Sequence, residues 1–233
     1  MIRQSYEISH PEYMHIERGE RTLYGCDQDW YEIEWRRRAG CGPVAATNIL
    51  LYMRKKYDVA DIPYYNGSVE EALEAMNDVY QFVRPRRRGL HTVRRFVKGM
   101  CKFGRRYGLS FRYRYLVIPP QAEKRPGIDE IIGFIEEGLE KDVPVAFLNL
   151  HAGSVEEQLS SWHWVTVVGI EKGGMGRAEI LLRFYDQSNS LAVSLGEWLD
   201  TTEKGGGFAY FCRPSQHRGQ PRCGRQNQQR LNI

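Results

Sequence analysis

The hydrophobic period changes near residue 108, and that change limits the folds open to the chain. Before it, apolar residues recur at helical spacing. Val44, Ala45, Asn48, Ile49, Leu51 and Tyr52 mark one stripe of a helix running from Pro43 to about Tyr57. Ser68-Val69-Glu70-Glu71 reads as the capped start of a second, ending near Tyr80. A third, from His91 to about Tyr107, turns Val93, Phe96, Val97, Met100 and Phe103 inward and stops at Gly108. Beyond that point the pattern alternates. Ser110–Ile118 sets Phe111, Tyr113, Tyr115 and Val117 against Arg112 and Arg114, the pattern of a half-buried strand. Val143–Leu150, Trp162–Ile170 and Ala178–Tyr185 read as further strands, the last two joined by a turn at Gly173-Gly174. An amphipathic helix over Ile128–Lys141 interrupts them. Leu191–Leu195 is a short strand, Glu197–Thr201 one helical turn, and Gly207–Cys212 closes the sheet. Residues 1–25 are expected to hold one short strand and a loop. Helices first and sheet second is an α+β order, with an N-terminal helical lobe packed on a C-terminal antiparallel sheet. A chain of 233 residues supports one core, so residues 1–213 are expected to form a single domain. Residues 214–233 are polar, have little to bury, and are expected to be a flexible tail.

Cysteine usage and charge narrow the function classes. Five cysteines, at 26, 41, 101, 212 and 223, are odd in number, widely spaced, and contain no CxxC pair. That argues against a disulfide framework or a zinc site and fits a reducing compartment. No apolar run approaches membrane-spanning length, and the first ten residues lack the apolar core of a signal peptide. A cytoplasmic location is the expectation. The net charge of +4 conceals a strongly basic block. Arg84, Arg86, Arg87, Arg88, Arg94, Arg95, Lys98, Lys102, Arg105, Arg106, Arg112 and Arg114 occur with no Asp or Glu among them. Such a block can meet nucleic acid, phosphate or an acidic protein. The commoner fate is a solvated face, here partly neutralised by the acidic helix that carries Glu70, Glu71, Glu74 and Asp78. An acidic partner therefore stays open, and nucleic acid is not the expected one.

One short stretch carries chemistry: Gly40-Cys41-Gly42-Pro43, at the head of the first helix. Pro43 suits the first turn, where its missing N–H costs nothing. The flanking glycines let the backbone turn and approach another group closely. A cysteine at a helix start meets unpaired N–H groups and the positive dipole end, which favour the thiolate. The bland alternative is a small side chain packed under a helix.

A sulfur nucleophile needs a base, and the base needs an orienting group. The histidines are 10, 15, 91, 151, 163 and 217. His163 opens a strand that is otherwise apolar, where an imidazole can face a cleft between lobe and sheet. Asp186 ends the next strand, and hairpin neighbours can set the two side by side. His151 is the second choice of base. Each element alone has an ordinary structural reading, since Asp before a turn is common turn chemistry.

Taken together, Gly40-Cys41-Gly42-Pro43-Val44-Ala45-Ala46-Thr47-Asn48, His163-Trp164-Val165-Thr166-Val167-Val168-Gly169-Ile170 and Phe184-Tyr185-Asp186 resemble the papain-like cysteine peptidases. Within that superfamily the likeness is to the C39-like, bacteriocin-processing-type group, over roughly residues 26–212. The resemblance implies a papain-like fold and a cysteine hydrolase with Cys41 as nucleophile, His163 as base and Asp186 as orienting group. It implies a glutamine upstream as oxyanion donor, which Gln28 resembles, although thirteen positions separate it from Cys41. It implies a peptide or protein substrate, cleavage of a peptide or isopeptide bond through a thioester, and neither metal nor organic cofactor. Two alternatives stand beside it. One is acyl transfer to an amine, as in transglutaminase-like relatives. The other is a binding module without turnover that holds an acidic partner on the Arg84–Arg114 face. Trp162 and Trp164 are expected to divide between shielding the site and the core; Trp30 and Trp35 could line the cleft, although packing is the commoner role. Cys26 is close enough in sequence to Gln28 to lie near the site, with no evident partner, and Cys101 and Cys212 are expected to be inert. Thr47 and Asn48 are read as polar packing positions on the helix.

Overall fold

The computed structural model describes residues 4–60, 62, 67–174 and 176–216. The chain enters through β1 (Gln4–Glu7) and a hairpin of β2 (His15–Arg18) and β3 (Arg21–Tyr24). Four helices follow: α1 (Glu34–Ala39), α2 (Cys41–Tyr57), α3 (Val69–Phe82) and α4 (Val93–Arg106). Next come β4 (Leu109–Ser110), β5 (Tyr113–Ile118), α5 (Ile128–Glu140) and β6 (Val145–Asn149). The remainder is β7 (His163–Lys172), β8 (Ile180–Asp186), β9 (Asn189–Ser194), α6 (Leu195–Thr201), β10 (Gly206–Phe211) and β11 (Ser215–Gln216).

The main sheet is antiparallel, in the order β5-β10-β6-β7-β8-β9, with β1 as its seventh strand. Strand β7 is ten residues long and organises it. Its first half pairs with β6 (Asn149 opposite His163), and its second half pairs with β1 (Gly169 opposite Glu7). Its other edge takes β8, with a bulge between Val167 and Gly169. All residues from His163 to Ile170 are buried, as a strand covered on both faces requires. Helices supply both covers. Successive residues of a strand point to opposite faces. Tyr210 of β10 meets Phe134 of α5 at 5.2 Å between ring centroids, while Phe211 meets Phe96 of α4 at 6.1 Å. On the α4 side Trp164 stacks on Phe96 at 4.4 Å. A smaller core of Ile16, Tyr31, Val44, Leu51, Met76 and Tyr80 joins the β2–β3 hairpin to α2 and α3.

The mixed helix and sheet class follows the expected order, and Ser68 and Ser194 cap α3 and α6 by accepting from Glu71 N and Glu197 N. Several details differ from expectation. A lobe on one side of a sheet is too simple, because α5 covers the face opposite α4. The first 25 residues hold three strands among those described, not one. The expected strand 110–118 breaks at Phe111 and Arg112, because Phe111 turns in against Gly104 of α4 and Phe211. The expected tail begins later than 214. Pro214 is buried, and Ser215–Gln216 pair with Leu109–Ser110. Residues 217–233 lie outside the described part, and His217 and Cys223 with them. Among the described residues, no helix is long and apolar enough to cross a membrane.

Candidate active site

Cys41 is the first residue of α2, and α1 runs into it through Gly40 alone. Gly40 has ordinary helical dihedrals (φ −83°, ψ −4°), so backbone freedom is not its reason for being glycine. Close approach is. A Cβ there would lie 2.3 Å from the Arg36 carbonyl oxygen and 2.7 Å from the Tyr31 ring. Gly42 serves the other side: a Cβ would meet Leu90 Cδ2 at 2.6 Å and Trp164 at 3.4 Å. Two glycines thus let the helix start sink between the Tyr31 ring and the Leu90–Trp164 wall, with the sulfur left partly exposed. The Cys41 N–H falls in the first turn, outside the intrahelical ladder.

His163 enters the same place from the sheet. Trp162, just before it, has left-handed backbone (φ 58°), which for an aromatic residue is uncommon. That bend leaves Trp162 exposed while His163 is buried at the first position of β7. Antiparallel pairing of β7 with β8 then brings Asp186 alongside, with Asp186 Oδ1 2.7 Å from His163 Nε2. With Nε2 held, Nδ1 is left for the Cys41 sulfur. Burial works against charge on the ring. Hydrogen bonds to Asp186 and Cys41, and the charges on both, outweigh it and raise the imidazole from 6.5 to about 10. The three side chains singled out in the sequence therefore meet, one from a helix start, one from a strand start and one from a strand end.

No family model matches this chain, and no curated protein does either.

The segment bearing Gln28 is tied to both halves of the site by one side chain. Asn48 Oδ1 accepts from the Cys26 N–H at 2.9 Å, and its Nδ2 donates to Thr166 Oγ1 at 3.2 Å. Asn48 is on α2 and Thr166 on β7, so a buried carboxamide joins the helix of Cys41, the strand of His163 and the loop before Gln28. Gly25 leaves room for it, since a Cβ would stand 2.8 Å from Asn48 Nδ2. Gln28 opens a 3-10 turn capped by Asp27, whose Oδ1 accepts from Asp29 N at 2.9 Å. Burial raises the Asp27 carboxyl, and the Asp29 and Asp186 charges add to that. Gln28 Oε1 is buried without a hydrogen-bond partner, and no hydrogen bond joins Gln28 to Cys41 or His163 among the described residues. Cys26 is buried, and burial pushes its thiol up, so it is not a competing nucleophile.

Cys41 opens into a cleft of about 540 Å³. Leu90, Leu148, Leu150, Trp35 and Trp162 supply apolar surface, and Arg38, Arg88 and His91 the polar groups. Trp35 is 43% exposed and Trp162 51%, unusual for rings of that size. Trp164 is the core member of the flanking pair. The sequence did not mark His91 or Leu90 for the cleft. His91 stands three residues after Arg88, its ring 6.4 Å from that of Trp162, with Nδ1 buried and unpartnered. Of the two roles open to Trp35, packing or lining the cleft, it takes the second. It rides on α1, a helix without an apolar stripe that is held by Arg37 donating to the Tyr31 and Glu32 carbonyls. His151 is used structurally, its Nδ1 accepting from Glu203 N and its carbonyl from the Thr202 hydroxyl. His10 pairs with Glu12 and His15 with the Tyr185 hydroxyl. Among the described residues no group of three His, Cys, Asp or Glu side chains is placed to hold a metal ion.

Proposed function

We propose that the protein is a cysteine-nucleophile hydrolase resembling the papain-like, C39-like peptidases, and that it cleaves a peptide or isopeptide bond. The observation that carries this reading is the Asp186–His163–Cys41 contact chain, with the imidazole raised to about 10, at the mouth of an open, largely apolar cleft.

In this reading His163 takes the Cys41 proton through Nδ1, and Asp186 holds the ring and offsets its charge. The thiolate adds to the acyl carbon, and the carbonyl electron pair becomes an oxyanion. The free N–H of Cys41 is one donor to it, and the Gln28 amide is the candidate second. Losing one such donor costs about 3–4 kcal/mol of transition-state stabilisation. The tetrahedral adduct collapses, His163 protonates the departing amine, and a thioester remains on Cys41. Water, activated by the same imidazole, releases the acid and restores the thiol.

The test is incubation with a proteome-derived peptide mixture, read by mass spectrometry for new termini and for an acyl adduct on Cys41. Cleavage that vanishes in Cys41→Ala and His163→Ala supports the proposal. Absence of both termini and adduct from the wild-type protein overturns it. Products joined to an added primary amine move the reaction from hydrolysis to acyl transfer.

A further inference from the structure

A second hollow, of about 310 Å³, adjoins the cleft of Cys41 and shares Trp35 with it. Its lining is Trp35, Tyr80, Arg84, Pro85, Arg86 and Arg87. The arginines are exposed, yet the frame that carries them is firm. Pro85 is buried, and a tight turn closes between Arg86 and Gly89, with Gly89 N donating to the Arg86 carbonyl at 2.7 Å and Arg86 N to the Gly89 carbonyl at 3.3 Å. The turn straddles the two hollows, with Arg87 lining the second and Arg88 the first. The back wall is Tyr80, with Arg36 over its ring at 4.6 Å and held by Asn77. Among the described residues no carboxylate forms an ion pair with Arg84, Arg86, Arg87 or Arg88. Nor does the acidic helix α3 neutralise them through Asp78, which accepts from the Tyr107 hydroxyl at 2.6 Å.

We propose that this hollow is an anion subsite of the cleft, and that the acyl donor is an acidic stretch of peptide whose carboxylates lie on Arg84, Arg86 and Arg87 while the chain crosses Trp35 to the Cys41 sulfur. The inference rests on the reading of Cys41 as an acyl-accepting nucleophile. Charge complementarity selects the occupant, since several unpaired guanidiniums on a rigid turn match carboxylates in number and geometry. The route to the sulfur selects peptide over nucleic acid. Beyond Trp35 the cleft is lined by Leu90, Leu148 and Leu150, which suit apolar peptide side chains, and a nucleic acid offers no acyl carbon to a thiolate.

The experiment uses two fluorescein-labelled peptides on the full chain, one leucine followed by six glutamates and its six-glutamine counterpart. Anisotropy reads binding, and the rate of Cys41 alkylation by iodoacetamide reads occupancy of the cleft. The glutamate peptide is expected to bind with strong salt dependence and to slow alkylation, and the glutamine peptide to do neither. Arg84→Ala/Arg86→Ala/Arg87→Ala is expected to weaken binding about ten-fold, the sum expected of three solvent-screened pairs. Arg94→Ala/Lys98→Ala on the exposed face of α4 is expected to change binding little. The proposal is overturned by equal binding of both peptides, by binding without protection of Cys41, by binding that follows the α4 substitutions, or by a single-stranded oligonucleotide displacing the peptide and binding more tightly. Failure of the nucleophile reading is separate: it would show as alkylation unchanged by His163→Ala, whatever the peptides do.

Discussion

Replacing Asn48 by alanine tests how the site is held together. Asn48 is 1% exposed, as is Cys26, and Thr166 is fully buried. The substitution removes the acceptor of the Cys26 N–H and the donor to the Thr166 hydroxyl, at 2.9 and 3.2 Å. A buried polar group left without a partner costs about 1–3 kcal/mol. The Cys26 N–H has no freedom to turn elsewhere and bears the full cost, while the Thr166 hydroxyl can rotate and bears less. A loss of about 3 kcal/mol follows, a large share of the roughly 5–15 kcal/mol typical of a domain. Urea unfolding followed by tryptophan fluorescence measures it. At a slope of about 3 kcal/mol per molar urea, the midpoint falls by about 1 M. Cys26, held under the broken bond, is also expected to react faster with a thiol reagent under native conditions. A stability loss under about 1 kcal/mol with Cys26 still protected would refute the idea that this carboxamide ties helix, strand and loop together.

Other substitutions probe the same construction. Gly40→Ala should cost more than Gly42→Ala in thermal unfolding, about 2–3 against about 1 kcal/mol, because the first pushes a Cβ into a backbone carbonyl and the second into a movable Leu90 methyl; the reverse order would contradict the close-approach argument. His163 is raised above its unfolded value, so its contribution to stability is complete below about pH 6.5 and is lost as pH rises toward the folded value of about 10. Asp186→Asn should flatten that alkaline loss in urea unfolding measured across pH. Asp142 behaves oppositely: despite burial, Lys56, the Ser9 N–H and the Tyr52 and Ser9 hydroxyls hold its carboxyl well below the usual range. Its contribution is present above about pH 4 and lost as pH falls, so Asp142→Asn should cost about 1–3 kcal/mol at neutral pH and reduce acid lability.

The parts of the fold that were legible in the sequence are those where one period governs a long element. The stripe of α4 and the buried run of β7 left little choice, because each packs along its whole length. Legibility failed where local pattern yields to a distant partner. Ser110–Ile118 alternates like one strand, but Phe111 belongs to the α4 side of the core and breaks it. Ser215–Gln216 look like tail and become strand only because Leu109–Ser110 present an edge. In the site, Cys41, His163 and Asp186 stood out because residue type and position in an element spoke together. His91 did not, and Trp35 read as packing or as cleft lining, because the hollows form where α1 and the 86–89 turn line the same space, and neither polar segment has a periodic signature. Asn48 was legible as a buried polar position, but its partners, 22 and 118 residues away, were not.

The most direct test of the whole account is the rate of Cys41 alkylation by iodoacetamide as a function of pH, in the wild-type protein and in His163→Ala. If sulfur and imidazole form a working pair, wild-type reactivity near pH 6 should exceed that of the variant by at least about ten-fold, and the variant should follow the profile of an ordinary thiol. Two superimposable profiles would mean that the contact between Cys41 and His163 does no chemistry, and the nucleophile assignment would fall.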